Sequence, residues 1–190
     1  DSIANQIAAG EVIQRPASVV KELMENAVDS GASHIKVIVK DSGKNFIQVV
    51  DDGCGMSATD LQASIERHAT SKIKSAEDLF SIHSMGFRGE ALPSVVSVSQ
   101  VEIKSKRERD ELGNFMQVEA SKILKVEPIA YSNGSSFLVK NLFYNIPARR
   151  KFLKSNKIEL KHIIEQFQRI ALPFTDISFE LVYDSNSMYH

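Results

Sequence analysis

The chain has almost no cysteine: Cys54 stands alone among 190 residues. No disulfide can form within it, so its core must hold the fold, and a reducing compartment suits it. There is no long apolar run, no N-terminal signal pattern, no low-complexity tract and no internal repeat, which leaves no membrane-spanning helix to place. The formal net charge is −1. No global basic field therefore draws the chain onto nucleic acid, and any contact with DNA has to come from local patches. His34, His68, His83, His162 and His190 are too scattered for a metal site. Cys54 sits between two glycines with no histidine nearby in sequence, and reads as small filler rather than a nucleophile. The phosphate loop of many nucleotide-binding proteins is also missing, because Gly43-Lys44 lacks both the upstream glycine and the following Ser or Thr.

What is present is the composition of a folded soluble protein of one large domain, or one and a part: 43% hydrophobic and 25% charged. A chain of this size buries about 70% of its unfolded surface. It begins at Asp1 rather than Met and stops at His190 just after a strand-like run, so both ends read as cuts in a longer protein.

The organising stretch is Pro16 to Gly31. Pro16 is preset for a first helical turn, Gly31 suits a left-handed terminating residue, and nothing between them breaks a helix. Val20, Leu23, Met24, Ala27 and Val28 recur at helical spacing as an apolar stripe. Glu22, Glu25, Asn26 and Asp29 gather opposite, with Glu22 and Asn26 one above the other. Such a carboxylate can take a proton from water, while such an amide can offer oxygen to hydrated magnesium. Taken alone, the stretch is equally an amphipathic surface helix whose acids face solvent.

A hairpin follows, with strands over Ile35–Val39 and Phe46–Val50 and a polar tip at Asp41 to Asn45 assigned to turn chemistry. The second strand ends in Asp51-Asp52-Gly53-Cys54-Gly55-Met56. A helix is expected over Ser57 to Arg67, opened by Ser57 with Asp60 as a capping pair. His68 to Ser84 is long and polar, the pattern of a lid or binding loop. Gly86 to Leu92 then opens a helix through Val98. Strands are expected at Val101–Lys104, Phe115–Ala120, Ile123–Glu127 and Ser136–Leu142, with turns at Gly113 and Gly134. An amphipathic helix over Ile158–Leu172 is stopped by Pro173, and a last strand covers Ile177–Tyr183. The sum is an α/β (α+β) two-layer sandwich, with helices on one face of a mixed, largely antiparallel sheet.

Two clusters carry ligand chemistry. Asp51 at a strand end can accept a hydrogen bond from an exocyclic amine, and Gly53 and Gly55 let a flat ring, such as adenine, approach the backbone. An ordinary Asp-Gly turn has the same sequence. Gly86 and Gly89 bracket Phe87-Arg88 before a helix starting near Glu90, where freed amides and the helix dipole attract an anion. Glycines also make ordinary caps and loops. The basic run Arg149, Arg150, Lys151, Lys154 and Lys157 reads as a solvated helix start before it reads as a DNA contact.

In conjunction these elements resemble the GHKL ATPases, and within them the MutL family of DNA mismatch-repair proteins. The strings that carry the likeness are Asn5 to Val12, Arg15 to Leu23, Arg67 to Lys72, Gly86 to Leu92 and Asn141 to Leu153. They span residues 3 to about 172. A sensor kinase, a heat-shock chaperone or a type II topoisomerase fits the last two strings less well. The resemblance implies a GHKL (Bergerat) fold across residues 1–190, as the first part of a longer protein with a second, transducer-like domain and a C-terminal dimerisation domain. It implies ATP and Mg2+ as ligands and ATP hydrolysis, with Glu22 as general base and Asn26 as magnesium ligand. Asp51 then reads adenine, with Gly53, Gly55 and Met56 beside the ring and Ser30 near the nucleotide. Thr70, Ser71 and Lys72 are lid residues meeting phosphate or sugar, and Gly86, Phe87, Arg88, Gly89, Glu90 and Ala91 surround the phosphates. Ser135 takes the place of the family's pocket threonine, keeping the hydroxyl. Pro93 stands where many members have alanine, tolerable in a first helical turn. The family brings a lysine to the γ-phosphate from the second domain, so this stretch alone is expected to bind ATP better than it cleaves it. Implied partners are a second copy on ATP binding, DNA and a MutS-like mismatch-recognition protein, with no membrane. The implied location is the cytoplasm in a bacterium or the nucleus in a eukaryote. The rival reading is a nucleotide-gated interaction module without useful catalysis, against which the retention of Glu22 argues.

Overall fold

The computed structural model describes residues 9–66 and 89–190. The long helix α1 occupies Pro16–Asp29, with Arg15 extended at its N-cap, Pro16 in the first turn, and the C-terminus closed by the Ser30 amide donating to the Asn26 carbonyl and the Gly31 amide to the Val28 carbonyl. Gly31 follows at φ +74 with open space around it. A side chain there would meet no atom, but the left-handed backbone would strain it.

Strands β1 (His34–Lys40) and β2 (Phe46–Asp51) form the expected antiparallel hairpin. Its tip tightens into a 3-10 turn at Asp41–Gly43. That turn docks on the start of α1, where a Cβ on Gly43 would lie 2.7 Å from Pro16 Cβ. Helix α2 (Ala58–Ala63) carries the reciprocal Ser57 and Asp60 capping box, and ends earlier than the sequence pattern suggested. Helix α3 spans Ala91–Ser97. Pro93 falls in its first turn, where a backbone N–H would have no intrahelical acceptor, so the ring costs little.

The strands β3 (Gln100–Lys106), β4 (Gly113–Glu119), β5 (Lys122–Ile129) and β6 (Gly134–Lys140) come next. Gly113 and Gly134, expected in turns, begin strands instead. The β4–β5 reversal falls to Ala120 and Ser121, at φ 46 and 65, a left-handed pair whose twist matches the flanking strands. Helices α4 (Pro147–Phe152) and α5 (Asn156–Ala171) lead to β7 (Ser178–Tyr183). A further hairpin through Asp184 and Ser185, both at positive φ, adds β8 (Asn186–Tyr189). All four β8 residues are exposed, so no alternation announced that strand.

The eight strands form one sheet in the order β5-β4-β3-β6-β2-β1-β7-β8. Only the β1–β7 pair is parallel; every other neighbouring pair is antiparallel. Register sets Val37 opposite Val49 and Leu181, Val49 opposite Phe137, and Phe137 opposite Ile103. These residues share one face, and it is the buried one. Lys36, Gln48, Glu102 and Lys104 lie on the other, partly or fully exposed. The mixed sheet with one covered face is the architecture the sequence pattern called for.

Helix α1 lies in the covering layer, packed on β1 and β2 below and against α5 and α3 beside it. Its apolar surface is therefore wider than a single stripe: Pro16, Ala17 and Val19 are buried along with Val20, Leu23, Met24 and Ala27. Val28 is only partly buried. Glu25, expected on a polar face, is 8% exposed. The second packing partner explains that difference, since a helix wedged between a sheet and a neighbouring helix has only a narrow side left for water.

Candidate active site

The polar side of α1 carries a row at four-residue steps, Glu22, Asn26 and Ser30, which follows one ridge of the helix. At the C-terminal end of that row the helix meets the end of β2. The Ser30 hydroxyl donates to the Ala27 carbonyl at 2.7 Å and faces Asp51 Oδ1 at 3.5 Å. The Ser30 carbonyl accepts from the Cys54 amide at 3.0 Å. The glycine turn is thus tied directly to α1.

Asp51 is 6% exposed. Burial pushes its carboxyl up to about 6, opposed by hydrogen bonds from the amides of Gly53 and Ser135 and from Ser30. Its neighbour Asp52 goes the other way. Burial works against its charge, but the Ser33 hydroxyl, the His34 amide and ring, and the Ser33 amide outweigh it and hold the carboxyl well below the ordinary aspartate range. Two adjacent carboxylates are therefore set to different tasks, Asp52 pinning the start of β1 and Asp51 facing inward as a polarisable acceptor.

The sign of the Asp52 effect on stability follows from that depression. The stabilisation is present above the ordinary aspartate value of 3.8 and fades as pH falls below it. Asp52→Asn is accordingly expected to lower the urea midpoint at pH 7, with the gap to the parent narrowing as pH is taken from 5 to about 2.5.

The glycines after Asp51 are required by the protein itself. A Cβ on Gly53 would sit 1.9 Å from Ser30 Oγ, and one on Gly55, at φ +65, would sit 2.0 Å from the Lys106 carbonyl oxygen. On the next strand Gly134, at φ +108, passes 2.0 Å, measured from such a Cβ, from the Asp51 carbonyl oxygen. Each of these glycines is thus closely approached by neighbouring backbone or by Ser30.

Ser135 lies directly across from Asp51 in the β2–β6 register and is 5% exposed. Its hydroxyl is 2.8 Å from that of Ser105, which also accepts from the Met56 amide at 2.8 Å. Sequence reading missed Ser105. Only the β3–β6 register, which sets Ser105 opposite Ser135, reveals that one hydroxyl braces both the turn and the pocket serine.

At the other end of the row, Lys21 Nζ lies 3.0 Å from Glu22 Oε1 and 2.8 Å from Glu25 Oε2. Burial and the charges of Glu22 and Asp29 raise the Glu25 carboxyl, while Lys21 pulls it down. Burial lowers the Lys21 ammonium, but its two carboxylate partners prevail and raise it. Neither Lys21 nor Glu25 was singled out from sequence.

Gly89, at φ +61, and Glu90, the N-cap residue, lead into α3, which packs beside α1. The Asn141 to Leu153 string supports this helix from behind. The Phe143 amide donates to the Val98 carbonyl at 2.8 Å and Asn145 Nδ2 to the Ser97 carbonyl at 2.9 Å. Asn141 and Phe143 adopt φ 52 and 61 to do so. Farther on, the Arg149 guanidinium lies over the Phe143 ring at 5.8 Å and packs against Gly10, where an added Cβ would displace it. Of the basic cluster, Arg149, Arg150 and Lys151 lie in α4, with Arg150 bonded to Asn45, whereas Lys154 falls between helices and Lys157 in α5.

Glu22, Asn26, Ser30, Asp51, Gly53, Gly55, Met56 and Ser135 are thus strung along one edge between α1 and the ends of β2 and β6, with Gly89, Glu90 and Ala91 on the adjacent α3. Thr70, Ser71, Lys72, Gly86, Phe87 and Arg88, and the lid expected over His68 to Ser84, lie outside the described residues. Among the described residues no group of three or more His, Cys, Asp and Glu side chains could hold a metal ion, and no helix is long and apolar enough to cross a membrane.

Residues 14–141 match the family model of histidine kinase-, DNA gyrase B- and HSP90-like ATPases, and the chain belongs to that family. Within it, the chain groups with the MutL DNA mismatch-repair proteins. It is 56% identical over 189 residues to MutL of Christiangramia forsetii and 57% identical over 190 residues to MutL of Phocaeicola vulgatus, in each case across 100% of this chain. It spans only 31% and 30% of those two relatives. Among solved structures it is similar to the Aquifex aeolicus MutL ATPase domain complexed with ADP, with TM-score 0.74 and 29% identity over 93% of this chain and 63% of that one. A second neighbour is the N-terminal domain of a DNA repair protein, with TM-score 0.81 and 26% identity over 97% of this chain and 54% of that one. The fold and the family expected from the sequence strings are both borne out.

Proposed function

We propose that the row on α1 is a catalytic track for ATP, with adenine at the Asp51 end and the γ-phosphate at the Glu22 end. The observation that carries this is the continuity of the row. Eight residues separate Glu22 from Ser30, a rise of about 12 Å, comparable to the reach of an extended nucleoside triphosphate. Asp51 accepts from the adenine amine, while Ser135 and Ser30 complete the polar lining. Gly89, Glu90 and Ala91 lie along the phosphates, joined in this reading by Gly86, Phe87, Arg88 and the lid residues Thr70, Ser71 and Lys72.

Magnesium fits the residues present: one neutral amide oxygen, at Asn26, suits a small hard cation that keeps most of its waters and takes its remaining ligands from phosphate. When bound, it neutralises phosphate charge. The chain's own contribution is proton transfer and positioning. Glu22 takes a proton from a water whose oxygen attacks the γ-phosphorus. The bond from phosphorus to the bridging oxygen breaks, its electrons leave with ADP, and the proton passes on to the phosphate released.

In the whole protein the cycle works as a switch. ATP orders the lid and the N-terminal arm and favours pairing with a second copy or a paralogue, and hydrolysis releases the pair. A mismatch-repair clamp on DNA, answering to a MutS-like partner and working in the bacterial cytoplasm, is the role this supports. A second, transducer-like domain beyond His190 supplies the missing γ-phosphate lysine, and a C-terminal domain the permanent dimer contact. Size-exclusion chromatography of the chain extended past His190 through the second domain, without the C-terminal domain, tests nucleotide-driven pairing with a second copy. A non-hydrolysable ATP analogue is expected to move the protein to about twice its free mass, and an unchanged elution volume under saturating analogue overturns it.

A further inference from the structure

We propose that Lys21 is a positioning residue for Glu22, a clasp that holds the general-base carboxylate in place beside the incoming triphosphate. The inference rests on the reading of Glu22 as the base. Residues i and i+1 on a helix point about 100° apart and do not ordinarily meet. Lys21 nevertheless reaches Glu22 Oε1 at 3.0 Å while holding Glu25 Oε2 at 2.8 Å.

Glu25 is the fixed point of this triad. It stands one turn along from Lys21, the ordinary spacing for a helical ion pair, and its side chain is only 11% exposed. Lys21 is thereby bent along the helix, and the ammonium arrives beside Glu22 as a consequence. Glu22, at 21% side-chain exposure, has room to swing. Without Lys21, two carboxylates three residues apart would meet a polyanionic nucleotide with no side-chain cation bound to either, and repulsion would drive the mobile one outward. With Lys21 the local negative charge falls by one unit, and Glu22 is tethered through Lys21 to Glu25, the least exposed of the three. Lys21 itself is 41% exposed at the side chain. A pair this open adds little to fold stability, so its effect is to be read in catalysis.

The test uses the full-length protein, with steady-state ATP turnover and binding of a non-hydrolysable ATP analogue measured side by side. Lys21→Met is expected to lower kcat about tenfold, below the 10²–10⁴ of the base itself, with analogue affinity within about twofold. Lys21→Arg is expected to recover most of the loss. In a Glu22→Gln background, adding Lys21→Met is expected to change nothing further, because the group it positions is gone. Far-ultraviolet circular dichroism checks folding independently, and Lys21→Gln replaces Lys21→Met if the latter does not fold.

An unchanged kcat in Lys21→Met, with Glu22→Gln inactive, overturns the clasp and leaves Glu22 as the base. A parallel loss of analogue affinity makes Lys21 a nucleotide contact and also overturns it, as does a further tenfold loss on top of Glu22→Gln. Full turnover in Glu22→Gln alone removes the reading of Glu22 as the base, and the clasp with it.

Discussion

Replacing Glu22 with alanine in the full-length protein is expected to cut ATP turnover by about 10²–10⁴ and leave nucleotide affinity within a few-fold. The magnitude is the usual contribution of a positioned general base. The split between turnover and binding is the more discriminating part. In the proposed orientation Glu22 faces the phosphates, about two helical turns from Ser30 and the Asp51 end of the row, so its removal takes away proton transfer and little ground-state contact. Loss of a negative charge near the phosphates even favours binding slightly. Parallel assays of turnover and analogue binding check this, and turnover at the parent rate strips Glu22 of its role. Loss of both together instead places Glu22 among the groups that hold the nucleotide.

The sequence revealed most where local and global signals agree. Pro16 at the start and Gly31 at the end delimited α1 to within two residues, because both act through backbone geometry that no tertiary contact can change. The strands with alternating burial, β1, β2 and β3, were equally plain. What stayed hidden depended on register and on third partners. Ser105 matters only because β3 lies beside β6. Glu25 is buried although the helical pattern places it among polar residues. The hairpin turns at Ala120-Ser121 and Asp184-Ser185 bend through left-handed residues with no glycine to mark them, and β8 follows the second of these unannounced. Gly53 and Gly55 pass close to groups of the protein itself, Ser30 and the Lys106 carbonyl, which only the tertiary fold reveals.

Asp51→Asn is expected to weaken nucleotide binding by about 10²-fold or more and, in the same protein, to raise its stability at pH 7. The loss follows from exchanging an acceptor for an amide in a closed pocket. The charge-assisted bond to the adenine amine, worth about 1.5–3 kcal/mol, disappears, and a donor is left facing a donor. The gain comes from the same burial that makes the site selective. Asp51 titrates near 6 in the fold against an ordinary value of 3.8. A folded value raised in this way gives stability that is fully present below pH 4 and lost as pH rises through about 6. At neutral pH the ionised carboxylate therefore costs on the order of 3 kcal/mol, which a neutral amide of the same shape largely avoids. Nucleotide binding has the opposite dependence on pH. The adenine amine needs an ionised acceptor, so affinity is expected to fall by up to about tenfold per unit as pH drops below 6, and this dependence should vanish in Asp51→Asn. Calorimetric titrations from pH 5 to 8, paired with urea unfolding of the free protein, check both halves. A parent affinity flat across that range, or a variant less stable than the parent at pH 7, removes Asp51 from the adenine pocket as it is drawn here.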